Sequence, residues 1–326
     1  MNVLVTGGAG YIGSHVVREL VDRGHNVVVL DSLEFGNRTL AERAGASRIV
    51  VGNIADTALV DDLFTQEKPE AVMHFAAYKA PGESVEQPAR YFHNNVANTM
   101  SLLDTMRKHY VNHFIFSSTS AIFGQPAHVP VTETNNPFNP ESPYGESKLM
   151  VEKILKWYDQ AYGLKSVCLR YFNAAGASLD GKLGEDWSVT LNLIPLVMKA
   201  ALGKSSSIKV FGSDYPTRDG TCVRDYVHVV DLARAHVLAL EYLTKHGQST
   251  AYNLGTGQGS TVKEVIETTK RISGIDFPVE YVDRRPGDPA ALWADSSKAR
   301  AELGWSNQYD LETIVQTAYN WHKNEP

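Results

Sequence analysis

The chain has 326 residues, of which 43% are hydrophobic and 21% are charged, and its formal net charge is −6. This length predicts one large α/β domain with a smaller appended lobe. The chain has no apolar run long enough to span a bilayer and no block of Lys or Arg that would mark a nucleic-acid interface. We therefore expect a soluble protein with neither a membrane nor a nucleic-acid partner.

The first residues and the cysteines bear on the cellular compartment. The opening stretch, MNVLVTGGAG, is apolar but lacks the basic start of a secretory signal. The sequence has two cysteines, Cys168 and Cys222, which are too few for a disulfide framework or a cysteine-based zinc site. These features predict free thiols, no bound metal and a cytoplasmic location.

In the first half of the chain, apolar runs of strand length alternate with segments of helical period. This pattern is typical of a doubly wound parallel (Rossmann) sheet. The predicted strands are Asn2–Thr6, Asn26–Asp31, Arg48–Val51, Ala71–Phe75, His113–Ser117 and Ser166–Tyr171. The predicted helices between them are Ile12–Arg23, Ala58–Thr65, Phe92–His109 and Glu146–Tyr162. The expected sheet therefore has six parallel strands.

After Asn173 the sequence changes to loops that contain Gly and Pro, with short helices such as Leu193–Leu202 and a final helix over Leu311–Lys323. We predict a first domain of residues 1–175 and a second, smaller mixed α/β domain of residues 176–326. Segments within residues 227–254, such as Ala251–Leu254, are candidates to return to the first domain. The boundary is therefore approximate.

The glycine motif TGGAGYIG, residues 6–13, follows the first predicted strand directly and opens a predicted helix. In this context Gly7 permits a tight turn, Gly10 lets the backbone approach a pyrophosphate, and Gly13 lets the helix pack on the strand. Asp31 ends the second strand, where a carboxylate accepts both ribose hydroxyls but repels a 2′-phosphate. The motif predicts a dinucleotide site that prefers NAD over NADP; the alternative is a glycine turn without a ligand.

A candidate catalytic pair, Tyr144 and Lys148, lies four residues apart at the start of a predicted helix and so shares one helix face. We expect the ammonium to lower the pKa of the phenol towards the range of a useful general base. The segment FSSTS, residues 116–120, ends the fifth strand at the edge where open α/β sheets bind ligands. The same Tyr–Lys spacing occurs on ordinary surface helices, but here it accompanies the glycine motif and a hydroxyl segment.

Together these motifs resemble the extended short-chain dehydrogenase/reductase family, and over nearly the full chain they resemble the UDP-galactose (UDP-glucose) 4-epimerases. The stretches that carry the resemblance are VTGGAGYIGSH, HFAAYKAPGES, FIFSSTSAIFG, SPYGESKLMVE, LRYFNAAGA, DYPTRDGTCVRDYVHV, YNLGTG and RRPGDPAALWADSSKA. The resemblance implies an isomerase of galactose metabolism that interconverts UDP-glucose and UDP-galactose. It also implies NAD as a retained cofactor and a 4-keto sugar intermediate.

The resemblance also implies roles for single residues. Tyr144 would be the base, Lys148 would hold the nicotinamide ribose, and Thr119 would hydrogen-bond the reacting oxygen. The implied cofactor-binding residues are Gly7, Gly10, Tyr11, Ile12, Gly13, Asp31, Asn53, Ile54, Phe75, Ala76, Ala77, Lys79, Asn94, Tyr144, Lys148 and Phe172. Asn53 departs from relatives that carry Asp there, although an amide oxygen can still accept a hydrogen bond from adenine.

A nucleotide-sugar site is implied mainly in the second half of the chain. Arg224 and Arg285 resemble a diphosphate clamp, Asp288 would accept ribose hydroxyls, and Phe211 resembles the apolar wall near uracil. The implied substrate-binding residues are Lys79, Thr119, Tyr144, Asn173, Asn192, Phe211, Arg224, Arg285, Asp288 and Leu292. Leu292 is intermediate between tyrosine and the small residues of permissive relatives, so weaker action on UDP-N-acetylhexosamines is expected.

Two other functions compete with this one. A nucleotide-sugar 4,6-dehydratase or decarboxylase shares the fold, but such dehydratases carry an Asp–Glu pair where this chain has Ser120 and Ala121. A regulator that senses NAD without catalysis would not need Tyr144 and Lys148 together.

The resemblance further implies a homodimer. In the relatives, the helices corresponding to Phe92–His109 and Glu146–Tyr162 pair across the interface. A second apolar stripe is predicted on them here, made of Leu102, Leu103, Met106, Leu149 and Ile154.

Overall fold

The structure is a computed structural model that describes residues 1–134, 137–187, 192–285 and 288–324. Its strands are β1 (Asn2–Thr6), β2 (Asn26–Asp31), β3 (Arg48–Val51), β4 (Ala71–His74), β5 (His113–Thr119), β6 (Lys165–Tyr171), β7 (Asn173–Ala175), β8 (Ile208–Phe211), β9 (Val223–Arg224), β10 (Tyr226–His228), β11 (Thr250–Leu254), β12 (Ser260–Thr261), β13 (Val279–Val282) and β14 (Ala291–Leu292).

The helices are α1 (Tyr11–Asp22), α2 (Arg38–Ala44), α3 (Thr57–Glu67), α4 (Pro81–Glu86), α5 (Pro88–Tyr91), α6 (Asn98–Lys108), α7 (Pro143–Tyr162), α8 (Leu193–Ala201), α9 (Val229–His246), α10 (Val262–Ser273), α11 (Ser297–Leu303) and α12 (Leu311–Asn324). A π-helical turn, Phe92–Ala97, connects α5 to α6, and a 3₁₀ turn, Ser120–Phe123, follows β5. The predicted helix Phe92–His109 therefore consists of a π-helical part and an α-helical part.

Seven strands form one parallel sheet in the order β11-β6-β5-β4-β1-β2-β3. The expected parallel, doubly wound sheet is confirmed, but the expected count of six strands was wrong. The seventh strand, β11, pairs with β6 at one side of the sheet, and the helix before it, α9, packs against α1. The carboxyl ends of all seven strands lie along one edge, which is where parallel sheets of this kind bind ligands.

The ends of β4 and β5 differ from the prediction, and the hydrogen bonds explain both differences. The strand β4 ends at His74, because the N–H groups of Phe75 and Ala76 both donate to the carbonyl of Thr6, which turns the chain. The strand β5 continues past Ser117 to Thr119, because its pairing with β6 extends to Thr119 opposite Tyr171. The extension brings the Thr119 hydroxyl to the ligand-binding edge.

Side chains of β1 alternate between two apolar cores, one on each face of the sheet. Val3 and Val5 join the core that α1 and α9 cover, whereas Leu4 joins the core that α3, α6 and α7 cover. Burial on both faces explains the nearly continuous apolar runs of these strands.

The second lobe has its own core, in which α8, α10 and α12 pack together with the parallel pair β8–β13. A small mixed sheet of order β12-β9-β14 and the pair β7–β10 connect this lobe to the end of β6.

The predicted second apolar stripe on the two long helices was wrong. Leu102, Leu103 and Met106 are fully buried in the core under the sheet, and Leu149 lies in a cluster beside the 3₁₀ turn. Ile154 packs against the same core as the first three. The apolar side chains that α6 and α7 expose are instead Met100, Trp157 and Tyr162, at 39%, 66% and 50%.

Two further expectations concern the cysteines and membranes. Cys168 and Cys222 are both free, as predicted, and both are buried. Across the described ranges, none of the helices combines the length and apolar character that crossing a bilayer requires.

Candidate active site

The glycine turn lies between the end of β1 and the start of α1. Gly7 has a φ of +74°, and a Cβ added to it would lie 2.6 Å from the backbone nitrogen of Ala76. A Cβ at Gly13 would lie 2.2 Å from the carbonyl oxygen of Gly7, so the close approach of helix and turn requires glycine. Gly10 is the N-cap of α1 and supplies no side-chain cap, so the first-turn N–H groups can bind a phosphate.

Asp31 ends β2 and is held beside this turn. It is 8% exposed, and its Oδ2 accepts a 2.9 Å hydrogen bond from the N–H of Ala9, while its Oδ1 accepts one of 2.9 Å from that of Leu33. Burial raises the pKa of Asp31, and the two backbone donors oppose that rise. Each carboxylate oxygen keeps a further lone pair, which suits a ribose hydroxyl.

The segment after β4 lies beside the glycine turn. Phe75, Ala76 and Ala77 are each half-buried, and Ala76 is the residue that a side chain on Gly7 would strike. Asn94 lies in the π-helical turn, and such turns are frequent at functional sites. Phe75 and Ala76 therefore lie directly beside the glycine turn, while a role of this segment and of Asn94 in dinucleotide binding stays a prediction.

Tyr11, Asn53 and Ile54 each make contacts within the protein. The hydroxyl of Tyr11 donates a 2.6 Å hydrogen bond to the carbonyl of Gly176. The Oδ1 of Asn53 accepts a 2.9 Å bond from the N–H of Ala55, and Ile54 is 4% exposed in the core. The amide oxygen of Asn53 retains a second lone pair, so an adenine contact remains compatible with this geometry.

Thr119 and Tyr144 meet where β5 ends and α7 begins. Ser142 caps the helix by accepting a 3.2 Å hydrogen bond from the N–H of Gly145, and Pro143 occupies its first position. This start places Tyr144 in the first turn, where its phenol lies close enough to the Thr119 side chain for Thr119 to lower its pKa. Two groups able to bind one reacting oxygen are thus adjacent at the ligand-binding edge.

Lys148 lies one helical turn after Tyr144 and is 3% exposed. Its Nζ donates a 2.8 Å hydrogen bond to the carbonyl of Ser117 and lies 4.8 Å from the centre of the Phe116 ring. The ammonium is therefore held against β5, two residues before Thr119.

The expected direction of the tyrosine pKa was wrong for this structure. Burial raises the pKa of Tyr144, and the hydrogen bond from Thr119 only partly opposes it. Burial also lowers the pKa of Lys148 to about 7. Desolvation disfavours the charged form of either residue alone, and this effect outweighs the attraction that the four-residue spacing suggested.

A buried ion pair between Glu152 and Arg170, one helical turn beyond Lys148, was not predicted. Glu152, one further turn along α7, accepts from Arg170 of β6 at 2.6 and 3.0 Å and from the hydroxyl of Ser118. The two charged side chains are only 7% and 9% exposed. One face of α7 thus lies along the end of β5, where Tyr144 is next to Thr119, Lys148 contacts Ser117, and Glu152 contacts Ser118. The regular spacing of four residues between Tyr144, Lys148 and Glu152 in the sequence indicates that they share one helix face.

Two of the predicted substrate residues pair with each other. Arg224 Nη2 donates a 2.8 Å hydrogen bond to Asp288 Oδ1, and the side chains are 16% and 30% exposed. Leu292 lies opposite Arg224 in the β9–β14 pair and shares an apolar cluster with Phe172 and Phe123. Because this cluster includes Ile122 and Phe123 of the 3₁₀ turn after Thr119, it connects the second lobe to the end of β5.

The other predicted substrate residues form local contacts. The guanidinium of Arg285 lies 4.4 Å from the centre of the Phe211 ring, a cation–π arrangement. Asn173 begins β7, and its Nδ2 donates a 3.1 Å bond to the carbonyl of Asp225.

Glu185 connects Lys79 to Asn192 and was missed in the sequence. Its side chain is 6% exposed, and its Oε1 lies 3.5 Å from the Lys79 Nζ and accepts a 2.8 Å bond from Asn192 Nδ2. Lys79 itself is 61% exposed, so its ammonium is available at the cleft. The contact with Lys79 spans 106 positions of the chain, so no local sequence pattern identifies it.

Comparisons with known proteins cover almost the whole chain. The family model described as GDP-mannose 4,6 dehydratase matches residues 4–318. A UDP-glucose 4-epimerase of Halalkalibacterium halodurans is 50% identical over 330 residues, which cover 100% of this chain and 97% of that protein.

Solved structures give a similar result. The crystal structure of a UDP-glucose 4-epimerase from Stenotrophomonas maltophila, with bound NAD and formylated UDP-arabinopyranose, is 42% identical with a TM-score of 0.96 and covers 99% of this chain and 98% of that chain. The UDP-Glc/GlcNAc 4-epimerase of Campylobacter jejuni is 43% identical with a TM-score of 0.87 and covers 99% of each chain. The residues of the candidate site thus lie within a fold that these proteins share.

Proposed function

The chain belongs to the family of UDP-glucose 4-epimerases, and we propose that it interconverts UDP-glucose and UDP-galactose with NAD as its cofactor. The observation that carries this proposal is the convergence of Thr119, Tyr144 and Lys148 at the ligand-binding edge of a sheet that begins with a dinucleotide turn. The identity of half of all residues to a UDP-glucose 4-epimerase assigns the reaction.

The cofactor cleft fits NAD. Gly7 and Gly13 allow the turn to pack directly against the backbone of Ala76 and of the helix start, and Asp31 offers a carboxylate for ribose. NAD bound there would supply a reversible hydride acceptor for C4 of the sugar. Lys79, Asn94 and Phe172 are proposed further contacts of the cofactor.

We assign the proton transfer to Tyr144. Its phenolate takes the proton of the 4-hydroxyl and gives it back after C4 has inverted, while Thr119 hydrogen-bonds the same oxygen. Burial disfavours both the phenolate and the Lys148 ammonium, so the base needs a nearby positive charge when it forms. Lys148 is thus proposed to hold the nicotinamide ribose and to supply the positive charge that the base requires.

The nucleotide is proposed to bind the second lobe. Arg224 and Arg285 can bind the two phosphates, Asp288 the ribose hydroxyls, and Phe211 one face of uracil. Asn173, Asn192 and Lys79 supply amide and ammonium donors around the diphosphate and sugar. Strong contacts at the nucleotide leave the hexose free to turn over between the two half-reactions.

A dehydratase is the nearest competing function, and the matching family model carries that description. Elimination of water requires an acid and a base beside the sugar. The positions after Thr119 hold Ser120 and Ala121 in a 3₁₀ turn, and neither ionises near neutral pH. The site therefore favours epimerisation, and its complete Thr–Tyr–Lys set favours an enzyme over a regulator that only senses NAD.

Weaker action on UDP-N-acetylhexosamines is also proposed. Leu292 lies in the cluster beside the catalytic turn and is smaller than the tyrosine that would fill the space at the second carbon of the sugar. A relative of similar identity is named a UDP-Glc/GlcNAc 4-epimerase, so this fold accommodates both sugars.

We further propose a cytoplasmic homodimer. Free, buried thiols at Cys168 and Cys222 suit a reducing compartment. The exposed Trp157 and Tyr162 of α7 and Met100 of α6 offer apolar area for a second copy. Sedimentation should give a dimer at micromolar concentration, and a stable monomer would contradict this assignment.

Supplying UDP-galactose and UDP-N-acetylgalactosamine in separate reactions tests the function, with products identified by NMR. The expected products are UDP-glucose at a high rate and UDP-N-acetylglucosamine at a lower rate. Unchanged UDP-galactose would contradict the main assignment, and a 4-keto-6-deoxy product would establish the dehydratase instead.

A further inference from the structure

The loop after β2 is joined to the segment after β4 by three side chains, Glu34, Tyr78 and Arg90, which we call the Glu34 latch. One carboxylate oxygen of Glu34 accepts a 2.7 Å hydrogen bond from Arg90 Nη2, and the other accepts a 2.9 Å bond from the Tyr78 hydroxyl. The guanidinium of Arg90 also lies 4.1 Å from the centre of the Tyr78 ring. The three side chains therefore form one connected unit.

The sheet order determines what this latch must cross. Glu34 lies in the loop after β2, and Tyr78 lies in the loop after β4. These strands are not neighbours, because β1 lies between them. Contact between the two loops at the carboxyl edge therefore passes over the end of β1, where the glycine turn begins.

The part of the latch after β4 is anchored to buried structure. The backbone N–H of Tyr78 donates a 2.9 Å bond to Asn95 Oδ1, and the Asn95 Nδ2 donates a 3.0 Å bond back to the Tyr78 carbonyl. Asn95 is 2% exposed within the π-helical turn. Arg90 is also held by Glu83, through a 2.5 Å hydrogen bond.

On the other side, Asp31 holds the loop that carries Glu34 through the N–H of Leu33. The crossing contacts themselves are different in character. They join side chains that are 31% exposed at Arg90 and 41% exposed at Glu34, so water can compete for them. The two loops are thus fixed individually, whereas the connection between them can open.

We propose that the Glu34 latch closes over the dinucleotide bound at the glycine turn and slows its release. This inference rests on the proposed function, in which NAD is regenerated within each turnover and gains from remaining bound. Release then requires both contacts of the Glu34 carboxylate to break, together with the edge-to-face contact of the Phe35 and Tyr78 rings. The residues act on cofactor retention and take no part in the proton transfer.

The negative charge of Glu34 determines whether its removal should speed or slow the release of NAD. The pyrophosphate of NAD is anionic, so a nearby carboxylate that made no latch would repel the cofactor and hasten its release. Removing that carboxylate would then slow release. A latch predicts the opposite, because loss of Glu34 opens the connection between the loops.

The test is the exchange of radiolabelled NAD, bound to the purified holoenzyme, for excess unlabelled NAD. Glu34→Ala should release NAD about tenfold faster, as expected for loss of one partly exposed ion pair and one hydrogen bond. Tyr78→Phe, which removes only the hydroxyl contact, should have a smaller effect. Arg271→Ala removes a similarly paired but remote surface cation, whose partner is Glu312, and should leave the release rate unchanged.

Salt provides a second measurement. Release from the unmodified protein should accelerate as ionic strength rises, because salt screens the pair of Glu34 and Arg90, and Glu34→Ala should have lost most of this dependence. Equal or slower release from Glu34→Ala would overturn the latch. A protein that binds no NAD at all would instead contradict the proposed function, so the two failures are distinguishable.

Discussion

The cofactor half and the substrate half of the site are held in different ways. In the cofactor half, Asp31 ends a strand of six residues and is fixed by two backbone N–H donors. In the substrate half, Arg224 and Leu292 lie on strands of only two residues each. There the functional side chains hold one another, as in the pairs of Arg224 with Asp288 and Arg285 with Phe211.

This difference indicates what each half does when its ligand binds. A dinucleotide meets a turn and a carboxylate that the sheet has already placed, so little has to rearrange. If the nucleotide diphosphate binds Arg224 as proposed, it must instead compete with the Asp288 carboxylate for that guanidinium. Changes in the cofactor half should therefore act on folding and cofactor binding, whereas changes in the substrate half should act mainly on KM.

Tyr144→Phe removes the proposed base, and we expect this change to have the largest effect. Epimerisation should fall by about 10²- to 10⁴-fold, since the phenol oxygen is lost and the ring is kept. Bound NAD, measured by absorbance after denaturation of the purified protein, should remain at the level of the unmodified protein. Turnover close to that of the unmodified protein would exclude Tyr144 as the base.

Glu152→Ala tests how firmly the parallel sheet of the cofactor half holds helix α7. Removal of one partner leaves the Arg170 guanidinium buried without its counter-charge, so unfolding free energy should fall by about 3–5 kcal/mol. The matched control is Glu312→Ala, which breaks an exposed ion pair with Arg271 and should cost about 0–1 kcal/mol. Urea titrations that gave the two variants equal stability would show that the Arg170 pair does not hold this helix.

Arg224→Ala should affect the substrate half alone. Loss of a charged contact to the diphosphate should raise KM for UDP-galactose about 10- to 100-fold. Because Arg224 lies on a two-residue strand of the second lobe, NAD content should not change. Steady-state kinetics with parallel NAD assays measure both quantities, and loss of NAD would contradict the separation of the halves.

Leu292→Ser should have the smallest effect, a change in preference between sugars. Space freed beside the second carbon of the sugar should raise the relative kcat/KM for the N-acetylated substrate about tenfold. Competition of the two UDP-sugars in one reaction measures the ratio directly. An unchanged ratio would show that another side chain sets the size limit.

The sequence predicted the strand bounds of the cofactor half better than the secondary structure of the substrate half. The bounds of β1, β2 and β3 match because continuous Val, Ile and Leu runs end at polar or glycine residues. Helix α10 was not predicted, although Thr261 and Glu264 form a capping box that the sequence displays. That signal was recognisable without the structure.

Other features were beyond any local pattern. The pair of Glu152 with Arg170 joins residues 18 positions apart, and that of Glu185 with Lys79 joins residues 106 positions apart, so both depend on the tertiary fold. The pKa directions of Tyr144 and Lys148 also required knowledge of burial, which spacing alone does not provide. The chemistry of the site was predictable from motifs, but its electrostatics was not.

The central claim is that C4 of the sugar is oxidised and then reduced by the same bound cofactor, with both halves of the site retaining their ligands. Incubation of UDP-galactose deuterated at C4, followed by NMR of the product, tests it most directly. The predicted result is UDP-glucose that keeps deuterium at C4 in ordinary water. Replacement of that deuterium by solvent hydrogen would contradict the account.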